Sequence, residues 1–215
     1  MLEKMDIFFE NRIDSYDDHM MSESHIRNGY IKIAELMPEN SKKLLDLGCG
    51  TGLELVEIYK RFHEINVTGI DISQKMLDKL QVKFNDKNIN LINANYLEYN
   101  FGTNIYDIII SYETLHHLDH NDKIKLYNKI FHALIPSGQY IECDYMVFTQ
   151  DEEDFHFSEN RKLRIQQGIN DGEVYHYDTP CTIDNQIMMM KEAGFKIVKE
   201  EWKEQNAVII KAIKI

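Results

Sequence analysis

Apolar residues in this chain form short continuous runs that alternate with stretches where apolar positions recur at helical spacing. The runs that predict strands cover residues 43–48, 66–71, 88–94, 105–112 and 139–146. The stretches that predict helices cover residues 24–37, 53–62, 73–80 and 121–134. The run at 105–112 is almost entirely apolar, as expected for a central strand that is covered on both faces. This alternation predicts a doubly wound α/β fold in which helices connect parallel strands.

The C-terminal part of the chain departs from this alternation. Residues 148–180 show no regular period and mix an acidic cluster with aromatic and histidine side chains, so we interpret them as an insertion. A helix is predicted at about 182–193 and ends at Gly194, and strands at 195–202 and 207–214 follow it. The short spacing between these two strands predicts a hairpin, which adds an antiparallel strand to a mostly parallel sheet.

The segment that joins the first strand to its helix has the composition of a ligand-binding turn. Asp46 precedes glycines at alternate positions, Gly48, Gly50 and Gly52. Glycine can adopt positive φ and lets the backbone approach a ligand closely, and the N–H groups of the helix that follows point towards that ligand. A dinucleotide-binding fingerprint would instead place its third glycine at the position of Leu53.

The next apolar run, VTGID, ends at Asp71, whose carboxylate can accept hydrogen bonds from a ribose diol. Together with the glycine turn, this strand end resembles the class I S-adenosylmethionine (SAM)-dependent methyltransferases, roughly over residues 40–145. The resemblance implies a Rossmann-like, seven-stranded sheet whose last strands form a hairpin. It also implies SAM as the cofactor, with Gly48 to Gly52 against its methionine part and Asp71 at its ribose. SAM carries no pyrophosphate, so no phosphate cradle is needed.

The resemblance implies roles for further residues, and each role has a plainer alternative. Ile72 and Met76 would pack on the adenine, or they belong to the core. Asn95 would present its amide oxygen to the adenine amino group, or it forms a turn. Tyr16 would fold over SAM within an N-terminal strip, or it lies on a solvated acidic helix. Cys49 is interpreted as a small filler rather than a nucleophile, because nothing marks a neighbouring base.

Candidate chemistry follows the fourth strand, in the segment YETLHHL. Tyr112, His116 and His117 are candidate catalytic residues, since a histidine near the sulfonium could take a proton from a hydroxyl or an amine. The alternative is that one histidine is buried structurally and the other caps or lines the next helix, because positioning alone can promote an in-line displacement. The complete predicted cofactor site is Asp46, Gly48, Cys49, Gly50, Asp71, Ile72, Met76, Asn95, Tyr96, Ser111 and Tyr16.

The length of 215 residues suits one domain and is too short for two of ordinary size. We expect one domain over residues 1–215, with a helical cap at 1–37 and with 148–180 as a lid that selects the substrate. No apolar run approaches the ~20 residues of a membrane span, and the acidic N-terminus does not resemble a secretion signal, so we expect a cytoplasmic protein. The cysteines lie far apart without a CxxC pair, which predicts reduced thiols and no metal site.

The net charge of −12 disfavours nucleic acid as a partner. The resemblance, together with this charge, leads us to expect a SAM-dependent methyltransferase that acts on a nitrogen or oxygen atom of a small molecule, as a monomer or homodimer. Two alternatives stay open. The segments YETLHHL and LIPSGQYIECDY superficially resemble tRNA wobble-uridine modifying enzymes that use a carboxylated SAM, which would want an arginine near the sulfonium and a basic exterior. The other alternative is a SAM-binding regulatory protein without turnover, since methyl transfer requires no compulsory catalytic residue.

Overall fold

The computed structural model describes residues 1–170 and 172–215, and within them a seven-stranded sheet forms the centre of the fold. The strands are β1 (Lys43–Leu47), β2 (Asn66–Asp71), β3 (Ile89–Asn93), β4 (Tyr106–Tyr112), β5 (Leu134–Tyr145), β6 (Ile197–Glu204) and β7 (Ala207–Ile213). Their order across the sheet is β3-β2-β1-β4-β5-β7-β6. Strands β1 to β5 are parallel, and β7 is antiparallel to both β5 and β6. The predicted Rossmann-like sheet with a final antiparallel hairpin is confirmed.

Helices cover both faces of the sheet. They are α1 (Met5–Glu10), α2 (Ile13–Ser22), α3 (Ser24–Leu36), α4 (Leu53–Arg61), α5 (Gln74–Lys83), α6 (His120–Ala133), α7 (Gln150–Gln167) and α8 (Ile183–Glu192). Side-chain oxygens of Ser73, Asp119 and Thr182 accept hydrogen bonds from the first turns of α5, α6 and α8. Such caps satisfy backbone donors that a helix start leaves free, so these residues fix where the helices begin.

The core has two layers because neighbouring strand residues point to opposite faces. Leu44 of β1 belongs to the layer that packs against α3, α4 and α5, whereas Leu45 belongs to the layer that packs against α6 and α8. Both residues are fully buried. The near-continuous apolar run of β4 follows from the same arrangement, since a strand covered on both faces needs apolar residues at every position.

The carboxyl ends of the central strands meet at one edge of the sheet. Strand β1 pairs with β2 on one side and with β4 on the other, so the connections after β1 and β4 leave in opposite directions. This divergence creates the crevice in which open α/β sheets bind their ligands. The fold therefore brings the glycine turn after β1, Asp71 of β2 and the segment after Tyr112 of β4 to one place.

Residues 148–180 are more regular than the sequence predicted. Helix α7 has 18 residues, and it begins with a capping box in which Thr149 and Glu152 bond reciprocally to each other's backbone N–H. The prediction of an irregular segment was wrong because α7 is polar on most sides, so its sequence lacks the apolar stripe that indicates a helix. The capping box was the signal that could have located its start.

Strand β5 begins at Leu134, five residues earlier than predicted. Its pairing with β4 shifts register between Tyr106 and Ile108, and Ser137 adopts a φ of +67° at that point. The segment Pro136 to Gly138 therefore makes an irregularity inside the strand rather than a break before it. Within the described parts of the chain, no helix combines the length and apolar content that crossing a membrane requires.

Candidate active site

The glycine turn is packed tightly at one glycine and open at the next. Gly48, Gly50 and Gly52 have φ values of +69°, +47° and +72°, a region in which residues with a side chain are strained. A Cβ atom on Gly48 would lie 2.8 Å from Cβ of Thr114. A Cβ atom on Gly50 would meet nothing nearer than 3.9 Å, which is the hydroxyl oxygen of Tyr16. The turn thus presents its backbone to open space at Gly50.

A cleft of about 660 Å³ lies in front of this turn. Its walls come from the turn, the ends of β2 and β4, the loop after β3 and the N-terminal helices. The predicted site residues that line this cleft are Tyr16, Gly48, Gly50, Asp71, Ile72, Met76, Asn95, Tyr96, Tyr112 and His117. The fold therefore brings together most of the side chains that the sequence singled out.

Asp71 lies at the floor of the cleft with its carboxylate fixed by the backbone. One carboxylate oxygen accepts from the N–H of Gly50 at 2.9 Å, and the other accepts from the N–H of Ser73 at 2.8 Å. Burial raises the pKa of Asp71 to about 6, although these N–H groups oppose the rise. Each oxygen retains a lone pair, so the carboxylate can also accept from a pair of hydroxyl groups.

Another wall of the cleft is largely apolar and comes from the start of α5 and from the loop after β3. Ile72, Met76 and Tyr96 contribute to it, beside the turn that begins at Asn95. The amide oxygen of Asn95 accepts from the N–H of Leu97 at 2.9 Å, so it stabilises that turn while the residue also lines the cleft. Asn95 therefore forms a turn, which was one of its two predicted roles, and it also lines the cleft.

A small void lies behind the glycine turn and is lined by Tyr16, Tyr30 and Glu54 among others. Oε1 of Glu54 and both carboxyl oxygens of Asp46 have no hydrogen-bond partner among the described residues. Burial and the nearby Glu54 raise the pKa of Asp46 well above its usual range. Asp46 itself lies beneath the turn and does not line the cleft, so its predicted direct contact with the cofactor is not supported by its position.

A second cavity, which we call the acceptor chamber, adjoins the cleft. Four residues line both cavities, namely Phe9, Tyr16, Glu113 and His117. The other residues that line the chamber are Phe8, Arg12, Ser15, Asp18, His19, Met20, Ser22, His116, His176 and Asp178. A ligand in the chamber therefore lies next to a ligand in the cleft, with only these shared side chains between them.

Histidine and carboxylate side chains cluster at the junction of the two cavities. Nδ1 of His116 donates to Oδ1 of Asp144 at 2.6 Å. Nδ1 of His117 lies 3.3 Å from Oδ1 of Asp178, and Oε2 of Glu113 lies 3.8 Å from Nδ1 of His116. Glu113 also has a φ of +48°, a strained conformation for a residue with a side chain, and such strain often accompanies functional sites.

The cluster contains groups with strongly shifted pKa values. Burial opposes protonation of His116, but Asp144 and Glu113 outweigh it and raise the pKa of His116 to about 9. Burial and the neighbouring His116 lower the pKa of His117. Burial, with the nearby His117, also lowers the pKa of His176, to about 4. Burial raises the pKa of Glu113 to about 8.

Comparisons with known proteins agree with this site. A sequence model of the family described as a methyltransferase domain matches residues 44–138, which include the glycine turn, Asp71 and the segment after β4. The carboxy-S-adenosyl-L-methionine synthase of Nautilia profundicola is 25% identical, over 96% of this chain and 94% of that enzyme. Residues 44–138 of this chain therefore form a methyltransferase domain of the class I SAM-dependent type. Its cofactor is SAM, as the sequence predicted.

More distant members of the methyltransferase group are longer than this chain. A malonyl-[acyl-carrier protein] O-methyltransferase of Acetivibrio thermocellus is 25% identical over 80% of this chain and 60% of that enzyme. Human N-acetylserotonin methyltransferase, solved in complex with SAM, has the same fold, with a TM-score of 0.64 at 17% identity over 86% of this chain and 51% of its own. The chain thus spans little more than half of these two proteins.

The side chains of this methyltransferase fit the groups that SAM carries. Asp71 offers acceptors for the ribose hydroxyls, and the open backbone at Gly50 leaves room for the cofactor next to the turn. Ile72 and Met76 supply an apolar surface for the adenine. The unpartnered oxygen of Glu54 beside the small void suits the ammonium group of the methionine part.

Two of the predicted site residues, Ser111 and Tyr112, use their hydroxyl groups in structural contacts. The hydroxyl of Ser111 is buried and bonds to the hydroxyl of Tyr140 at 2.7 Å, away from the cleft. The hydroxyl of Tyr112 donates to the main-chain carbonyl of Ile26 at 2.6 Å, so this residue lines the methyltransferase cleft without offering a free hydroxyl. The position of Ser111 and the contact of Tyr112 argue against their predicted cofactor and catalytic roles.

Cys49 is buried beneath the glycine turn, where its sulfur packs against the backbone of β2. A Cβ atom on Gly69 would lie 2.8 Å from this sulfur. Burial raises the pKa of Cys49 well above its usual range, which makes it a poor nucleophile. The burial of the Cys49 thiol agrees with its interpretation as a small side chain that fills space, and it argues against direct contact between that thiol and SAM.

The sequence predicted a cap at 1–37 and a lid at 148–180, but it did not indicate that these two segments pair with each other. Lys4 forms a β-bridge with Tyr175, and the N–H of His176 donates to the carbonyl of Glu3 at 2.9 Å. This pairing of the N-terminus with residues 174–178, which we call the roof, places Phe9 against His117 and His176. The two segments lie far apart in sequence, so spacing could not reveal their contact. The apolar pair at Phe8 and Phe9 in an acidic N-terminus was the available signal.

Proposed function

We propose that this chain transfers the methyl group of SAM to an oxygen or nitrogen atom of a small molecule that binds in the acceptor chamber. The observation that carries the proposal is the set of residues shared by cleft and chamber, Phe9, Tyr16, Glu113 and His117. A sulfonium methyl group at that junction would face the chamber, where an acceptor atom could approach it in line.

The reaction needs little covalent help from the protein. A lone pair of the acceptor forms a bond to the methyl carbon while the carbon–sulfur bond breaks towards sulfur, which leaves S-adenosylhomocysteine, the methylated acceptor and one proton. Glu113 and His117 line both cavities and are therefore the groups positioned to take that proton. The hydroxyl of Tyr112 has no part in this step, because it is bonded to the backbone of α3.

The form of the chamber favours a small acceptor. The roof covers it from one side, and it is lined by aromatic, histidine and acidic side chains. The net charge of −12 disfavours a nucleic-acid substrate in the cytoplasm, where we expect the protein to act. The related malonyl-[acyl-carrier protein] enzyme is named as an O-methyltransferase, which supports oxygen as an acceptor atom. Residues 174–178 and the N-terminal helices would then select the acceptor.

Isothermal titration with SAM and S-adenosylhomocysteine, followed by an assay with hydroxyl, carboxylate and amine acceptors, tests the proposal. We expect binding in the wild type and a loss of at least about tenfold in Asp71→Ala, because the ribose contacts are removed. S-adenosylhomocysteine should form with at least one acceptor class, and Glu113→Gln should slow its formation while the cofactor affinity stays within about threefold. Cofactor binding without any turnover would instead support the regulatory alternative.

A second function is favoured by one comparison. The carboxy-SAM synthase of Nautilia profundicola is matched over 94% of its length, so this chain could synthesise carboxy-SAM. The chamber contains one arginine among the described residues, Arg12, which pairs with Glu3 at 3.2 Å and lies over the ring of Phe8 at 3.6 Å. Arg12 is therefore engaged by other side chains and does not line the cleft. Mass spectrometry of the nucleoside that is retained through purification separates the two functions. Retained carboxy-SAM would favour carboxy-SAM synthesis, whereas retained SAM would favour methyl transfer.

A further inference from the structure

Three imidazole nitrogens surround a single carboxylate oxygen in the acceptor chamber. Oδ1 of Asp178 lies 3.3 Å from Nδ1 of His117 and 3.7 Å from Nε2 of His116. It lies 3.8 Å from Nε2 of His176. The ligand atoms of His116, His117 and Asp178 all lie within 4.8 Å of one another.

These distances are longer than the donor–acceptor distances of good hydrogen bonds, but they are close to the distances between neighbouring ligand atoms around a metal ion. An N–H···O bond usually has a donor–acceptor distance of ~2.9 Å. Around an ion with ligand distances of ~2.1 Å, neighbouring ligand atoms of a tetrahedral site lie ~3.4 Å apart. The 3.3 Å contact of His117 Nδ1 with the carbonyl of Tyr177 is also long, and coordination would replace it. His116, His117 and Asp178 are therefore spaced as ligands of a common ion, and His176 lies beside the carboxylate.

The surroundings of the cluster match those of a metal site in two ways. The other ring nitrogen of His116 donates to Asp144 at 2.6 Å, and Asp144 is almost completely buried. Metal-binding histidines commonly donate their second N–H to a carboxylate in this way, which fixes the ring orientation. All four side chains also line the chamber, so an ion and one further ligand can reach them.

We propose that His116, His117 and Asp178 bind a divalent first-row transition metal ion in the acceptor chamber, next to His176. Two imidazoles and a carboxylate form a donor set suited to zinc, iron, cobalt or nickel rather than to magnesium or calcium, and His116 loses its second ring proton when the ion binds. Sequence spacing predicted no metal site, because Asp178 and His176 lie far from His116 and His117 along the chain. The proposal goes beyond methyl transfer, since metal binding can be measured without cofactor or acceptor.

Titration of the metal-free full chain with Co²⁺ tests this site, because low-coordinate Co²⁺ absorbs visible light intensely. We expect one equivalent to bind with such a spectrum, and Zn²⁺ to displace it while excess Mg²⁺ does not. His117→Ala and Asp178→Ala should each weaken binding by at least about tenfold, and Asp144→Asn by about 10-fold to 100-fold through the His116 ring. His63→Ala is the matched control, because His63 is exposed and lies outside the cluster.

Two variants guard against a loss that comes from misfolding. Asp178→Asn keeps the size of a side chain that is 43% exposed, and His117→Gln replaces a proposed ligand without touching the pair of His116 and Asp144. Circular dichroism must show a native fold in both. The proposal is overturned when wild type binds Co²⁺ and Zn²⁺ no more tightly than these folded variants, which would make the cluster an ion-pair network only. Failure to find a methyl acceptor would leave this result unaffected.

Discussion

Gly48 and Gly50 both have positive φ but different surroundings. We therefore expect a side chain at Gly48 to affect mainly the stability of the fold and one at Gly50 to affect mainly cofactor binding. At Gly48 a Cβ atom would press on Thr114, whereas at Gly50 it would enter the open cleft. Positive φ alone costs a residue with a side chain about 1–2 kcal/mol, and crowding adds about 1–3 kcal/mol. The first glycine is therefore required by the protein's own packing and the second by the space left for the cofactor.

We predict that Gly48→Ala lowers the free energy of unfolding by about 3 kcal/mol. Gly50→Ala should lower it by only about 1–2 kcal/mol but weaken S-adenosylhomocysteine binding by about tenfold or more. Gly168→Ala is the control, because Gly168 has a φ of +65° and nothing within 4 Å of the added carbon, far from the cleft. Chemical denaturation and calorimetry measure both quantities. Equal unfolding losses for all three variants would contradict the packing argument.

Asp71 gives the cofactor site a pH dependence. Its pKa is raised to about 6 by burial, so the carboxylate that should hold the ribose becomes protonated as the pH falls through that value. We expect the affinity for S-adenosylhomocysteine to fall by up to about tenfold between pH ~7 and pH ~5. The pKa is raised relative to the unfolded chain, so this residue contributes more stability to the cofactor-free fold at the lower pH.

Calorimetric titration of wild type and Asp71→Asn at both pH values checks this. The variant should bind more weakly at neutral pH and show little change between the two values, because it has no proton to gain. A wild-type affinity that is constant over this range would contradict the assignment of the ribose to Asp71.

At the scale of elements, helix α2 depends on polar contacts for its position over the cleft. No residue of α2 is buried, although it carries Tyr16. Asp17 accepts from the hydroxyl of Thr51 at 2.6 Å and pairs with Lys83 at 3.1 Å and Lys79 at 3.5 Å. Burial opposes its ionisation, but these partners outweigh it and lower the pKa of Asp17. They connect α2 to the glycine turn and to α5.

We predict that Asp17→Asn weakens S-adenosylhomocysteine binding by about fivefold, since partly exposed pairs each contribute up to about 1 kcal/mol. Asp14→Asn removes the same charge from an exposed position of the same helix and should have no effect. Hydrogen exchange in α2 should rise in the first variant only. Equal affinities in both variants would show that α2 does not depend on this contact.

The elements differ in how far the sequence could predict them. The glycine turn and Asp71 were predictable because their geometry is set by residues within one strand–turn–helix unit. The contacts of Ser111 and Tyr112 were harder to predict. The strand end is visible in the sequence, but the partners of the two hydroxyl groups lie on other elements. Helix α7 was missed because its polar sides carry no period.

At the scale of the whole molecule, the alternation of elements predicts the doubly wound sheet and its final hairpin, whereas it does not predict the acceptor chamber. The order of the strands across the sheet is seen only in the structure. The chamber arises where α1 meets residues 174–178, and the histidines beneath them come from the segment after β4 and from the roof. Such contacts depend on the folded path of the chain, so only the structure shows that His117 and His176 are neighbours.

The roof has a consequence for turnover. The same N-terminal segment and the same residues 174–178 cover both cavities, and Phe9 and Tyr16 contact each of them. We therefore expect that separation of these two segments admits the cofactor and the acceptor alike and also frees both products. Exchange of the spent nucleoside and release of the methylated compound should share one rate, governed by how often a few backbone hydrogen bonds between the two segments break.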